Sequence, residues 1–190
     1  MLVLAPRAQP AQGDRLHTLG RALADEFGID FVHFSLWPDM APAQHITIGN
    51  FDLRYGSRVL WGPPDVLAAL PRFAAADIPL FEGLLLLYNR LGGLLSGLGQ
   101  PTRTANEAMP RTAGRTFRSG HETYLLNQIM KARMALGDWH LIRARAYDVS
   151  YATRRERFSW LAGGLPLDAD GRRAVADGYT FKLHPDLAHI

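Results

Sequence analysis

Apolar and polar positions alternate with different periods along this chain, and the periods predict its elements. LVLA at 2–5 reads as a short strand. DRLHTLGRALADEF at 14–27 reads as a helix, with Asp14 as N-cap, a stripe of Leu16, Leu19, Leu23 and Phe27, and Gly28 past its end. IDFVHFSLW at 29–37 alternates as a strand, with Val32, Phe34 and Leu36 on one face. Residues 45–53 and 57–61 read as further strand, joined by the YGS bend. PPDVLAALPRFAAAD opens a second helix on a proline, and Pro71 shortens it. IPLFEGLLLLY then reads as a buried strand ending near Tyr88.

This order is β-α-β-β-α-β with one extra strand segment, the ferredoxin-like plan. The expected fold class is therefore α+β: a ferredoxin-like domain over 1–92 and a basic, loop-rich α+β half over 93–190. In the second half, 91–120 has no period and reads as a loop. A helix is expected over 121–136, HETYLLNQIMKARMAL. DWHLIRARAYDVSYA and GYTFKL are expected to be strands.

Composition changes this picture little. Of 190 residues 47% are apolar and 21% charged, which suits a folded domain with its own core. There is no cysteine, which excludes disulfides and thiolate metal sites. The run at 79–99 carries Glu82, Asn89, Arg90 and five glycines, whereas a membrane span needs about 20 mostly apolar residues. The short apolar start lacks the basic residues and length of a secretory signal. The expected location is the cytoplasm, with no membrane contact.

Charge changes it more. Residues 1–100 hold 7 Arg and 9 acids, net −2, and residues 101–190 hold 14 Arg plus Lys and 9 acids, net +5. Such a back half suits a polyanion; an arginine-rich solvated surface is the plainer reading. The candidate RNA-binding residues are Arg103, Arg111, Arg115, Arg118, Lys131, Arg133, Arg143 and Arg145.

The seven histidines include no HExxH pair, and no acidic run has calcium-loop spacing, so no metal or cofactor is expected. Two arrangements are candidates for proton transfer. His17 lies near the start of the first helix, with Gly20 and Ala24 one and two turns along the same line. Those small residues leave room for a backbone or ligand to approach the ring. Alternatively, HITI at 45–48 and HETY at 121–124 are two His-x-Thr elements 76 residues apart. His45 and His121 would exchange protons while Thr47 and Thr123 hold a phosphate, as in the LigT-like two-histidine phosphoesterases that this spacing resembles.

A longer resemblance spans most of the chain. Leu16-His17, FSLWPD at 34–39, GSRVLWGPPDVLAAL at 56–70, the arginine-bearing 103–133 and GYTFKL at 178–183 follow one another in order. In this they resemble the CRISPR-associated ferredoxin-like endoribonucleases that process precursor CRISPR RNA, in particular the short type I-F-like form. The resemblance implies metal-independent cleavage at the base of a hairpin repeat. A ribose 2′-OH attacks the adjacent phosphate and leaves a 2′,3′-cyclic phosphate, with His17 in proton transfer. It also implies an RNA partner, with retention in an effector complex. HITIGNFD would be an insertion. A non-catalytic RNA-binding assembly subunit is the further alternative.

Overall fold

A computed structural model of the chain describes residues 2–4, 10–27, 32, 34–37, 44–99 and 120–184. The backbone groups into two units, one of residues 1–42 with 100–124 and one of 43–99 with 125–190.

In the first unit, β1 (Leu2–Leu4) and β2 (Ser35–Trp37) pair in parallel, Leu2 opposite Ser35 and Leu4 opposite Trp37. Between them in sequence runs α1 (Pro10–Phe27), as a parallel connection requires. The buried line of α1 is Gly20 and Ala24, while Leu19 and Phe27 of the expected stripe are exposed. At Gly20 the backbone carbonyl of Val32 comes so close that no Cβ fits. The room read from His17, Gly20 and Ala24 is filled by backbone.

The second unit is built from helices: α2 (Ile48–Gly56), α3 (Leu80–Gly99), α4 (Gly120–Arg143, within this unit from Leu125), α5 (Tyr151–Leu161) and α6 (Ala169–Leu183). Short 3₁₀ turns at Val66–Ala69, Ala75–Asp77 and Ala162–Gly164 join some of them.

These helices overturn the ferredoxin-like expectation. Among the described residues the only sheet is β1 with β2. Every strand expected after residue 37 is helix, turn or irregular chain. The reasons are local. At 45–53, Thr47 is an N-cap: its hydroxyl accepts the Asn50 N–H at 3.0 Å, and the Asn50 side-chain amide donates to the His45 carbonyl at 2.9 Å. The apolar run at 79–88 fits a buried strand or a helix by composition. It is rich in leucine, not in β-branched residues, and continues for 20 residues as α3. α3 passes unbroken through 92 and 93, where composition shifts. In HLIRARA the helix takes HLIR, α4 running to Arg143, and the alternating ARA forms the turn that ends it. It ends in a Schellman turn: Arg145 N–H donates to the Ile142 carbonyl at 2.9 Å and Ala146 N–H to Leu141 at 2.8 Å. Arg145 takes the left-handed position, φ 59°, usually held by glycine. GYTFKL closes α6.

Two apolar clusters hold this unit. Phe51, Phe73, Ile78, Ile142 and Tyr147 form one, joining α2 to the end of α4. Met134, Leu141, Phe158, Val175 and Tyr179 form the other, joining α4, α5 and α6. α4 and α6 approach through reciprocal glycines. A Cβ on Gly178 would lie 2.9 Å from the Met134 backbone nitrogen, and one on Gly137 would lie 2.6 Å from Val175. Among the described residues no helix is long and apolar enough to cross a membrane.

Candidate functional site

The cores leave a cleft of about 320 Å³ inside the second unit. α2 contributes Ile48, Gly49 and Asp52; α3 contributes Glu82, Asn89 and Arg90. α4 adds Lys131 and Asp138, and Tyr147, Tyr151 and Arg154 close it from the α4–α5 turn and α5. A neighbouring cleft of about 350 Å³ shares Gly49, Asp52, Tyr151 and Arg154 as walls.

The floor is a polar network. Arg154 donates to the Asp138 carboxylate at 2.8 Å and to the Tyr147 hydroxyl at 3.1 Å. The Tyr179 hydroxyl donates to the other Asp138 oxygen at 2.7 Å. The Tyr147 hydroxyl donates to Asp52 at 3.2 Å. The guanidinium also stacks 3.9 Å from the centre of the Tyr151 ring, whose surroundings include the Lys182 ammonium at 5.2 Å. Asp138, Arg154, Tyr147 and Tyr179 are all buried, so each member depends on the others for its hydrogen bonds. The turn carrying Tyr147 is clamped from α5: Arg157 donates to the carbonyls of Ala146 and Tyr147 at 2.9 and 3.1 Å and pairs with Asp148.

The electrostatics follow from burial. Burial opposes the charge on Arg154, but Asp138 and its other neighbours outweigh this and hold the guanidinium above its usual pKa. Burial raises Asp138, against the pull of Arg154 and the Tyr179 hydrogen bond. Asp52 is less enclosed and faces the cleft. Burial lifts its pKa to about 6, with Asp138 and Asp148 adding to the rise and Arg154 and Tyr147 opposing it. Across the cleft, burial lowers the pKa of Lys131, and Arg90 and Lys182 lower it further. Arg90 and Lys131 have no ion pair or hydrogen bond among the described residues. The cleft thus holds a titratable carboxyl on a braced scaffold and unpaired cations on α3 and α4. Among the described residues no three His, Asp or Glu side chains gather as a metal site.

Of the residues singled out from sequence, Lys131 is in this cleft. His17 is exposed on α1 with Arg21, also exposed, one turn on. His45 is exposed just before α2, and Thr47 caps that helix. His121 and Thr123 lie in the first turn of α4. Arg103, Arg111, Arg115 and Arg118 lie outside the described residues. Arg133 is half-buried and donates to the Met130 sulfur at 3.8 Å. Arg143 is exposed over the Trp139 ring, and Arg145 is exposed at the α4–α5 turn.

Sequence reasoning missed Asp52, Asp138, Tyr147, Tyr151 and Arg154. One signal was available: Asp138 sits amid Leu136, Trp139, Leu141 and Ile142, an acid where α4 is otherwise apolar. Comparison with protein-family models, with curated proteins and with solved structures finds no match to the chain.

Proposed function

We propose that the helical unit binds a small anionic ligand in the Asp52–Lys131 cleft, and that Asp52 exchanges a proton with it. One observation carries this reading: the cleft walls combine two cations without an ion pair among the described residues, Arg90 and Lys131, with a carboxyl held by the Tyr147 hydroxyl, which Arg154 holds in turn. Unpaired cations in a partly desolvated cleft favour a phosphate or carboxylate. A carboxyl with a pKa of about 6 both accepts and donates protons near neutral pH. The two features lie on different helices, so a ligand anchored by its anionic end presents its remainder to Asp52. Chemical-shift mapping with inorganic phosphate, glyoxylate and nucleoside monophosphates tests the ligand class. Perturbation at Lys131, Arg90 and Asp52 is expected; perturbation elsewhere only would refute the site.

RNA binding is a second reading. Its support is two exposed cations at the end of α4, Arg143, which lies over the half-buried Trp139 ring, and Arg145 in the turn that follows, which offer phosphate contacts. Anisotropy with a short hairpin RNA is expected to show binding that weakens steeply with salt and falls in an Arg143→Gln/Arg145→Gln variant. Cleavage in EDTA that is lost in His17→Ala would extend this reading to the endoribonuclease activity that the resemblance implies. RNA affinity unaffected by the arginine changes would reject this surface.

A further inference from the structure

The outer face of α3 is the most regular apolar feature among the described residues. Phe81, Leu84, Tyr88, Leu91, Leu95 and Leu98 follow one another at alternating steps of three and four, the seam spacing of a coiled coil. All six are between 52% and 74% exposed. The opposite face is occupied. A Cβ on Gly83 would lie 2.7 Å from Trp139 of α4, and one on Gly93 would lie 2.5 Å from the Gln128 side chain. Glu82, Asn89 and Arg90 point into the cleft from that side. Helix α3 therefore packs on its own unit with one side and, among the described residues, presents an unpartnered seam with the other.

We infer that this seam is a homodimer interface in which α3 of a second copy packs antiparallel on the first. The register supports a like partner. A two-fold axis at the middle of the seam sets Phe81 opposite Leu98, Leu84 opposite Leu95 and Tyr88 opposite Leu91. Every aromatic then meets a leucine, and the same patch serves both copies, as an isologous interface requires. The flanks support it too. Leu85, Leu87, Gly92 and Leu94 border the seam without a charge, so like copies bring no like charges together. Gly92 faces open space, which leaves room for Leu85 of the second copy. The size fits as well. Six large side chains offering roughly 100 Å² each would bury roughly 1,200 Å² over two copies, the lower edge of a specific interface. A lipid surface fits less well, because an interfacial helix carries Lys and Arg along its borders and this one does not.

Sedimentation of the full chain tests the inference. The expected species is twice the 21.1 kDa of one chain, shifting to a single chain in Leu84→Glu/Leu91→Glu. Both positions are exposed, so circular dichroism and the thermal midpoint at low concentration should match wild type. Orientation is read from cysteines in this cysteine-free chain. Oxidation should cross-link Phe81→Cys/Leu98→Cys but not Leu98→Cys alone; cross-linking by the single variant would mean a parallel pair and overturn the register. A monomeric wild type would overturn the dimer, whether the seam then binds vesicles or is protected within one chain. A dimer that survives the glutamates would place the interface elsewhere.

Discussion

Arg154 and Asp138, one turn into α5 and one turn from the end of α4, form an ion pair of 2.8 Å with side chains only 3% and 5% exposed. Burial leaves the pair little contact with solvent. Tyr147 and Tyr179 also bond to it and tie it to α2 through Asp52 and to α6, while the buried Arg154 Nε–H has no hydrogen-bond partner among the described residues.

Removing one partner strands the other. Arg154→Met is expected to destabilise the unit by about 3–5 kcal/mol, because it leaves a buried carboxylate uncompensated. Tyr179→Phe removes one donor from Asp138 and should cost about 1–3 kcal/mol. Urea denaturation measures both. A loss under 1 kcal/mol in Arg154→Met, about the size of an exposed pair, would show that the network is solvated.

Asp52 gives the fold an inverted acid response. Its pKa rises from 3.8 to about 6 on folding, so the folded state prefers the protonated form. Stability from this group is full below pH 3.8 and declines as pH rises through 6. Asp52→Asn keeps an acceptor for Tyr147 and removes the titration. Its thermal midpoint is expected above wild type at pH 8 and level with it near pH 4. Equal midpoints at both pH values would mean that Asp52 ionises freely.

The α4–α6 contact depends on Gly178. Alanine normally favours a helix over glycine by about 1 kcal/mol. Here the added methyl meets the backbone of Met134 at 2.9 Å and Met130 at 3.1 Å, which cannot rotate away. Gly178→Ala should therefore destabilise, by about 1–3 kcal/mol. A rise in thermal midpoint would show that the helices separate easily.

Arg145 offers the reverse case. A side chain at φ 59° is strained by about 1–2 kcal/mol, which glycine relieves. Arg145→Gly is expected to raise stability by about 1 kcal/mol in chemical denaturation. A loss of that size would mean that the arginine side chain contributes more than the strain.

Much of the first 37 residues was legible. The order β1, α1, β2 follows from a short apolar run, a periodic segment and an alternating one, although α1 begins at Pro10, so that Asp14 lies inside the helix and is not its N-cap, and burial chose Gly20 and Ala24 over the leucine stripe. The helix expected at 121–136 lies within α4. The strands expected after residue 37 rest on the wrong period. In HITIGNF the alternation that suggests a strand is an N-cap and its first turn. In α3 a continuous apolar run hides a seven-residue repeat, because leucines on both faces mask its seam. The candidate site was barely legible, for a different reason. Its members come from α2, α3, α4 and α5, and buried charges look like exposed ones in sequence. In RRERF, Arg154 is buried in the network and Arg157 clamps a turn, yet both counted toward a basic surface.

The proposed ligand site stands or falls on calorimetry of inorganic phosphate with the full chain at neutral pH. The account predicts saturable binding by wild type, weakened about tenfold or more in Lys131→Met. Because Lys131 is a partly buried cation with no ion pair among the described residues, the variant's thermal midpoint should not fall. No saturable heat with wild type, or equal affinity in the two proteins, would contradict it.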